Sequence, residues 1–227
     1  MREIIVNADD YGMCKSLNDG IIKAYNKGVL SSTTIMANIV STEQMYRLDK
    51  EAKGIGIGVH LNLTQGFPLS SFSILREDGM FDRARIRNNE FDINEVEEEF
   101  IMQIEKIVTN VKKVTHIDSH HHIHLNPVFI ELVKKLAIKY NLKVRAYDES
   151  VLFSDEFYNT RVSLEKFQSI ISNSKGKIEI MTHPAIVDEE LMSISSYNKM
   201  RSIELEILTS KELKDFYLKH ELIKGTY

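Results

Sequence analysis

Short apolar segments alternate with segments of helical periodicity along the chain, and this alternation restricts the possible fold more than any other feature. Six apolar segments are predicted to be strands, at residues 3–8, 32–40, 55–64, 114–119, 143–146 and 178–182. Apolar residues at helical spacing fill the intervals, most clearly at 16–27 and 127–140. Strands that alternate with helices form a parallel sheet covered by helices. We therefore predict an α/β fold, a distorted or incomplete (β/α) TIM-barrel-like domain spanning residues 1–227 as a single domain, with an open doubly wound sheet as the alternative.

The composition excludes several classes of protein. The formal net charge is −4 and both signs are spread along the chain, so no basic block indicates binding to nucleic acid. The longest apolar runs fall far short of the ~20 residues that span a bilayer, and the stretch at 4–6 is too short for a secretory signal. The single cysteine, Cys14, cannot form an intrachain disulfide. We expect a cytoplasmic protein that binds neither nucleic acid nor membrane.

Titratable side chains collect at the carboxyl ends of four predicted strands. Asp9 and Asp10 follow the first strand, His60 lies in the third, the run at 116–124 follows the fourth, and His183 follows the last. In a parallel sheet or barrel these ends meet at one mouth, where ligands bind. Polar groups buried there are costly unless they are hydrogen-bonded or bound to a metal. The sequence therefore predicts one shared polar site.

The residue types at this site are those of a catalytic metal centre. Two imidazoles and one carboxylate hold a divalent metal and leave coordination positions open, and such a metal lowers the pKa of bound water and polarises a carbonyl. A second carboxylate could then act as a general base, and His183 has the position of an acid that protonates a leaving group. Arg145, at the end of its short strand, could orient a carboxylate through two parallel hydrogen bonds.

The motifs resemble those of the YdjC-like carbohydrate deacetylases, the chitooligosaccharide deacetylase family. The resemblance is carried by Val-Asn-Ala-Asp-Asp-Tyr-Gly at 6–12, Ser-Ser-Thr-Thr at 31–34, Gly-Val-His-Leu-Asn-Leu-Thr at 58–64, His-Ile-Asp-Ser-His-His-His-Ile-His at 116–124 and Met-Thr-His-Pro-Ala at 181–185. Order and spacing agree from end to end. The resemblance implies a (β/α) barrel-like fold, often a homodimer, and one divalent metal held by Asp10, His60 and His120.

The resemblance also implies a reaction. It is the removal of acetyl groups from N-acetylated sugars such as chitobiose and short chitooligosaccharides, as in chitin degradation. Similarity to the wider group of metal-dependent polysaccharide deacetylases implies Asp9 as the base and His183 as the acid. The family implies Mg²⁺, whereas two histidines and one aspartate by themselves suit Zn²⁺. The segment 70–89 is shorter and more polar than a family member built for long sugars would need, so the sequence leaves substrate length open.

Two other functions stay open at this point. A metal-dependent phosphoesterase on a similar barrel would explain the many histidines through two or three metals, but it needs bridging carboxylates, and Asp118 is the one spare inward candidate. A non-catalytic metal-buffering or sensing protein would use the histidine run and would give Asp9 and His183 no purpose. The sequence assigns no individual roles to Asp118, His121, His122 and His124.

Overall fold

Eight parallel strands form one sheet in the computed structural model, which describes all residues from 1 to 227. The strands are β1 (Arg2–Tyr11), β2 (Ser32–Ile35), β3 (Gly56–Leu61), β4 (His116–Ser119), β5 (Lys143–Val144), β6 (Val151–Ser154), β7 (Lys177–Thr182) and β8 (Leu222–Lys224). Their order is β5-β4-β3-β2-β1-β7-β6, and β8 pairs with the start of β1. Because β5 and β6 do not pair with each other, the barrel is not closed.

Nine helices cover this sheet. They are α1 (Lys15–Lys27), α2 (Thr42–Glu51), α3 (Arg83–Arg87), α4 (Ile93–Asn110), α5 (Pro127–Tyr140), α6 (Leu164–Asn173), α7 (Glu189–Ile194), α8 (Lys199–Thr209) and α9 (Lys211–Lys219). Their ends follow local chemistry: Ser41 and Gln44 form a capping box at the start of α2, and Asn126 caps α5 just before Pro127. None of the helices combines the length and the apolar character needed to cross a membrane.

The prediction of an incomplete (β/α) barrel is confirmed, with more strands than the six predicted. The missed strands, β6 and β8, have only 4 and 3 residues, which is too short for a periodic signal. The predicted second strand, in turn, is too long. β2 ends at Ile35, and the chain then turns so that the amides of Ile39 and Val40 donate to the carbonyl of Met36.

The hydrophobic core is one cluster of 54 buried residues between the sheet and its helices. The central strands β2 and β3 are buried along their whole length, as expected of parallel strands that are covered on both faces. Gly58 in β3 has a specific role in this packing, because a Cβ atom there would lie 2.6 Å from the imidazole of His116 on β4. The absence of a side chain at Gly58 therefore permits the close approach of β3 and β4 below the mouth of the barrel.

Candidate metal centre

The carboxyl ends of β1, β3 and β4 bring Asp10, His60 and His120 together. The Oδ1 atom of Asp10 lies 3.3 Å from Nε2 of His60 and 2.9 Å from Nδ1 of His120. All three side chains are largely buried, and one ligand atom from each lies within 4.8 Å of the other two. The structure thus places these three predicted residues in one cluster at the mouth.

The spacing of these atoms can be compared with that of metal ligands. Ligands about 2.1 Å from an ion lie about 3.0 Å apart at neighbouring octahedral positions and about 3.4 Å apart at tetrahedral ones. The observed separations of 2.9 and 3.3 Å fall on these two values. The three residues therefore fit a divalent metal, and the set suits both Mg²⁺ and Zn²⁺.

A bulge in β1 turns two neighbouring carboxylates towards the same site. Consecutive side chains in a strand normally point to opposite faces. Here the pairing of β1 with β2 changes register between Ala8 and Tyr11, and Asp10 has a φ of 73°, in the left-handed region. Such bulges and backbone outliers concentrate at functional sites, where they redirect side chains. This local backbone explains how both Asp9 and Asp10 can line one cavity.

Asp118 orients His60 from behind. Its Oδ1 atom lies 2.7 Å from Nδ1 of His60, and its Oδ2 atom accepts a hydrogen bond of 2.9 Å from the hydroxyl of Thr34. A carboxylate on the far nitrogen fixes the orientation of a ligating imidazole and leaves its Nε2 free for a metal. The Nε2 atom of His60 accordingly faces Asp10.

Arg201 stabilises the charged form of Asp10. Its Nη2 atom donates a hydrogen bond of 2.7 Å to Oδ2 of Asp10, on the side away from the histidines. Burial raises the pKa of Asp10, but His120 and Arg201 outweigh it and hold that pKa well below its ordinary value. Burial also lowers the pKa of His60, and Asp118 and Asp10 together raise it to about 10. A cation bound beside His60 would favour the neutral imidazole instead.

Arg145 lies beneath Asp9 and is completely buried. Its Nη1 and Nη2 atoms donate hydrogen bonds of 2.8 and 2.7 Å to the two oxygens of Asp9, and its Nε donates to Glu179 at 2.8 Å. Burial raises the pKa of Asp9, but the guanidinium outweighs it, so the carboxyl stays ionised. With a third bond from Asn7 on Oδ1, one of the roughly four acceptor positions of this carboxylate stays free, on Oδ2.

His183 follows β7 on another side of the mouth. Its ring lies beside those of Tyr158 and Tyr197, at centroid distances of 5.4 and 5.6 Å, and the two tyrosine rings stack on each other at 4.4 Å. Its backbone amide donates to the buried carboxyl of Glu204. Burial, with a smaller contribution from Arg201, lowers the pKa of His183 to about 4, so the imidazole is neutral at neutral pH.

One cavity of about 490 Å³ connects these groups. Five of the six predicted site residues line it, and Arg145 lies just behind Asp9. Three buried polar atoms on its lining residues have no hydrogen-bond partner, namely Nδ1 of His122, Nδ1 of His183 and Nη1 of Arg201. Buried polar groups are nearly always paired in native proteins, so these atoms indicate a cavity built to receive a polar ligand.

The histidine run divides into residues of the site and residues of the framework. His120, His121 and His122 line the cavity, and the last two have φ values of 53° and 54°, which turn the chain sharply after β4. His121 also contacts the hydroxyl of Thr64. His116 instead stacks on the ring of Tyr227 and His124 contacts Ser119, so neither lines the cavity.

The side chains that α8 contributes are not among the six predicted site residues. The inward stripe of this helix contains Arg201, Glu204, Leu205 and Leu208, at i, i+3, i+4 and i+7. Two of these four inward positions carry charged residues, both of them buried. Charge on the core-facing stripe of a helix is the sequence signal that could have identified them, because a charged side chain is almost never fully buried unless it is paired.

Comparisons with known proteins agree with this fold. A family model described as YdjC-like protein matches residues 3–219. The carbohydrate deacetylase of Brevibacillus brevis is 38% identical over 94% of both chains, and that of Vibrio campbellii is 35% identical over 96% of this chain and 92% of its own. A structure from Enterococcus faecalis V583, named for cellobiose-phosphate cleavage, aligns with a TM-score of 0.90 at 30% identity, covering 100% of this chain and 97% of that one.

A more distant structure extends the likeness of fold. The family 4 carbohydrate esterase from Streptomyces lividans, in complex with acetate, aligns with a TM-score of 0.60 at 9% identity, over 99% of this chain and 92% of that one. The chain is thus an incomplete parallel α/β barrel of the type found in carbohydrate esterases. More closely, it belongs to the family of YdjC-like proteins, which confirms the resemblance seen in the motifs.

Proposed function

We propose that the protein is a metal-dependent hydrolase that removes acetyl groups from N-acetylated sugars, such as chitobiose and short chitooligosaccharides. The observation that carries this proposal is the cluster of Asp10, His60 and His120 at metal-ligand spacing, directly beside an aspartate held by Arg145. The relatives named carbohydrate deacetylases support the class of substrate.

Asp10, His60 and His120 are the proposed ligands of one divalent ion. When bound, such an ion would polarise the acyl carbonyl and lower the pKa of the attacking water. The family favours Mg²⁺, and the ligand types also suit Zn²⁺. Asp118 supports this site without joining it, because its two oxygens are occupied by His60 and Thr34.

Asp9 and His183 are the site residues proposed to transfer protons. Asp9, through the free acceptor position on Oδ2, takes a proton from water as the water oxygen bonds to the acetyl carbon and the carbonyl electron pair moves onto its oxygen. His183 is neutral in the free protein, so in this proposal it takes up a proton from solvent before this step. When the electron pair returns, the carbon–nitrogen bond breaks, the His183 imidazolium donates its proton to the nitrogen, and the nitrogen leaves as an amine. Arg145 fixes the position of Asp9 through its paired hydrogen bonds.

The phosphoesterase alternative requires a second metal, and the geometry disfavours one. The only other cluster with metal-ligand spacing is formed by Asp9, His60 and Asp118. The Nη2 atom of Arg145 already lies 2.7 Å from Asp9 and 2.8 Å from Asp118, so a guanidinium cation occupies the position of a second ion. This arrangement favours a single metal.

The metal-buffering alternative requires several available histidines in the run. Two of its five histidines lie outside the cavity: the Nδ1 atom of His116 contacts Thr115, and that of His124 contacts Ser119. His121 contacts Thr64 through Nδ1. Of the histidines in the run, His120 is the one that belongs to a group of side chains at metal-ligand spacing, and this favours catalysis at one ion over storage of several.

Acetate release from N,N′-diacetylchitobiose, with and without added Mg²⁺ or Zn²⁺, tests the proposal. The wild type should bind about one ion per chain and release acetate only when that ion is present. His120→Ala should lose both the metal and the activity, and Asp9→Asn should lose turnover while it keeps the metal. His220→Ala, which changes an exposed histidine, is the control. Loss of the metal in Asp9→Asn would contradict the role of Asp9 as the base, and hydrolysis of phosphoesters alone would contradict the deacetylase proposal.

We also propose that residues 1–227 act as one domain and that the protein is a homodimer. One contiguous core spanning the sheet and its helices supports the first statement. Family resemblance supports the second. Light scattering on the purified protein in solution should give a mass of about twice 26.2 kDa.

A further inference from the structure

We propose that Arg201 is a further catalytic residue, whose Nη1 atom binds the acyl oxygen of the substrate and stabilises the negative charge that develops on it. This inference rests on the proposed deacetylase function. It assigns a direct contact with substrate to a residue of α8 that lies outside the predicted ligand and proton-transfer sets. The chemical group that the residue recognises is the oxygen of an acetamide, or of the acetate formed from it.

The hydrogen bonds of Arg201 leave one nitrogen without an acceptor. Its Nε donates to the backbone oxygen of Tyr197 at 2.7 Å, and its Nη2 donates to Oδ2 of Asp10 at 2.7 Å. Its Nη1 is buried and has no hydrogen-bond partner, and the whole side chain is only 3% exposed. An unpaired polar group in the interior is destabilising, and more so when it is charged. Since Arg201 lines the cavity, a ligand in the cavity can supply the missing acceptor.

The direction of this donor is fixed before any ligand arrives. A guanidinium is planar, so bonds at Nε and Nη2 determine where the N–H groups of Nη1 point. The side chain of Tyr197 adds support, with its ring centre 5.4 Å from the guanidinium carbon. Donors that are oriented in advance towards developing charge need no reorganisation during the reaction, which is the basis of oxyanion stabilisation.

The location of Arg201 indicates which oxygen of the substrate it would bind. Nη2 of Arg201 is bonded to Asp10, so the guanidinium lies next to a proposed metal ligand, and the proposal places the attacked carbonyl within reach of the adjacent Nη1. When water adds to the carbonyl carbon, the electron pair of the carbonyl moves onto its oxygen and returns when the carbon–nitrogen bond breaks. Arg201 donates a hydrogen bond to that oxygen throughout and keeps its own proton. Arg83 and Arg161 also line the cavity, but both are exposed to solvent, whereas Arg201 is buried.

A purely structural role for Arg201 makes a different prediction. If the residue only neutralised Asp10, a lysine that keeps the charge and one donor would replace it. Arg201→Lys and Arg201→Met therefore form the test pair. Lys199→Met is the control, because it removes a positive charge from an exposed position on the same helix. Thermal melting of each variant verifies that it is folded, and Arg201→Lys alone decides the question if Arg201→Met does not fold.

Four quantities are measured. They are kcat and KM for deacetylation, the Kd of the metal-free protein for the metal, and the Kd of the metal-loaded protein for acetate, the last by NMR titration. We expect both Arg201 variants to lose about 100-fold to 1,000-fold in kcat, the usual effect of removing one oxyanion donor. The metal Kd should stay unchanged or fall, because a competing cation beside Asp10 has been weakened or removed. Acetate should bind at least tenfold more weakly.

Full kcat in Arg201→Lys, or unchanged acetate affinity in both variants, would overturn the assignment. So would weaker metal binding that accounts for the whole loss of activity. Failure of the proposed function itself has a separate signature, because the wild type would then release no acetate with any metal. The acetate titration would still report whether Nη1 of Arg201 binds a carboxylate oxygen.

Discussion

Glu204 is a completely buried carboxyl group beside the site, and no lysine, arginine or histidine forms a salt bridge with it. One of its oxygens accepts a hydrogen bond from the backbone amide of His183, and the other accepts one from the hydroxyl of Tyr197. Burial raises the pKa of Glu204 to about 8 against an ordinary value of 4.5, and these two hydrogen bonds offset the effect only in part. The stability of the folded protein should therefore depend on pH through this one group.

The direction of the dependence follows from the two pKa values. Between about pH 4.5 and 8 the folded protein holds a proton on Glu204 that the unfolded chain has released. The stabilising contribution is complete below about pH 4.5 and is lost as the pH rises towards 8. One proton corresponds to about 1.4 kcal/mol per pH unit, so between pH 5 and pH 7 the wild type should lose about 2–3 kcal/mol relative to Glu204→Gln.

Urea denaturation followed by circular dichroism at pH 5, 6 and 7 measures this difference. Glu204→Gln has no group that titrates at this position. If the amide itself destabilises the protein, it lowers the free energy of unfolding by the same amount at every pH. The slope of the free energy of unfolding against pH is therefore the readout. Glu206→Gln, at an exposed position on the same helix, should parallel the wild type. If the difference between wild type and Glu204→Gln stayed constant within about 0.5 kcal/mol across this range, Glu204 would titrate as in the unfolded chain, and the reasoning from burial would be refuted.

Three further predictions concern the framework and the proposed metal. Arg145→Met leaves three buried carboxylates without their shared cation and should lower the free energy of unfolding by at least about 3–5 kcal/mol, measured by urea denaturation. Gly58→Ala places a Cβ atom 2.6 Å from the ring of His116 and should cost about 1–3 kcal/mol in the same assay. Added metal should raise the melting temperature of the wild type and a chelator should reverse this rise, while His120→Ala should respond to neither. Unchanged melting of the wild type in both treatments would count against a metal site.

Much of the candidate site could be predicted because its residues lie at the ends of strands. The carboxyl ends of parallel strands converge, so Asp10, His60 and His120 could be grouped without knowledge of their side-chain geometry. The bulge in β1 was not predictable in this way. A regular strand would have directed Asp9 and Asp10 to opposite faces, and only the left-handed backbone at Asp10 brings both to the cavity.

The part of the site that comes from α8 depends on tertiary packing. Arg201 is 191 residues away from Asp10 in the chain, and the two meet because α8 packs beside α1 at the edge of the mouth. The sequence near Arg201 and Glu204 carries no local signal of this distant contact. Their positions on the inward stripe indicate burial, but the partner of a buried charge is a property of the assembled fold.

The balance of buried charge around the mouth gives an independent argument for one divalent ion. Four buried carboxylates around the mouth are bonded to its cations and histidines, namely those of Asp9, Asp10, Asp118 and Glu179. Only two buried guanidinium groups, those of Arg145 and Arg201, oppose their charge. When His60 is neutral, as it would be beside a bound cation, two negative charges are left over, and an uncompensated buried charge is strongly destabilising. One divalent cation restores neutrality, whereas two would leave the interior with an excess of two positive charges. The same balance explains why removal of the charge of Arg201 should strengthen metal binding even as it removes a donor from the reaction, so the metal affinity and kcat of Arg201→Met should change in opposite directions.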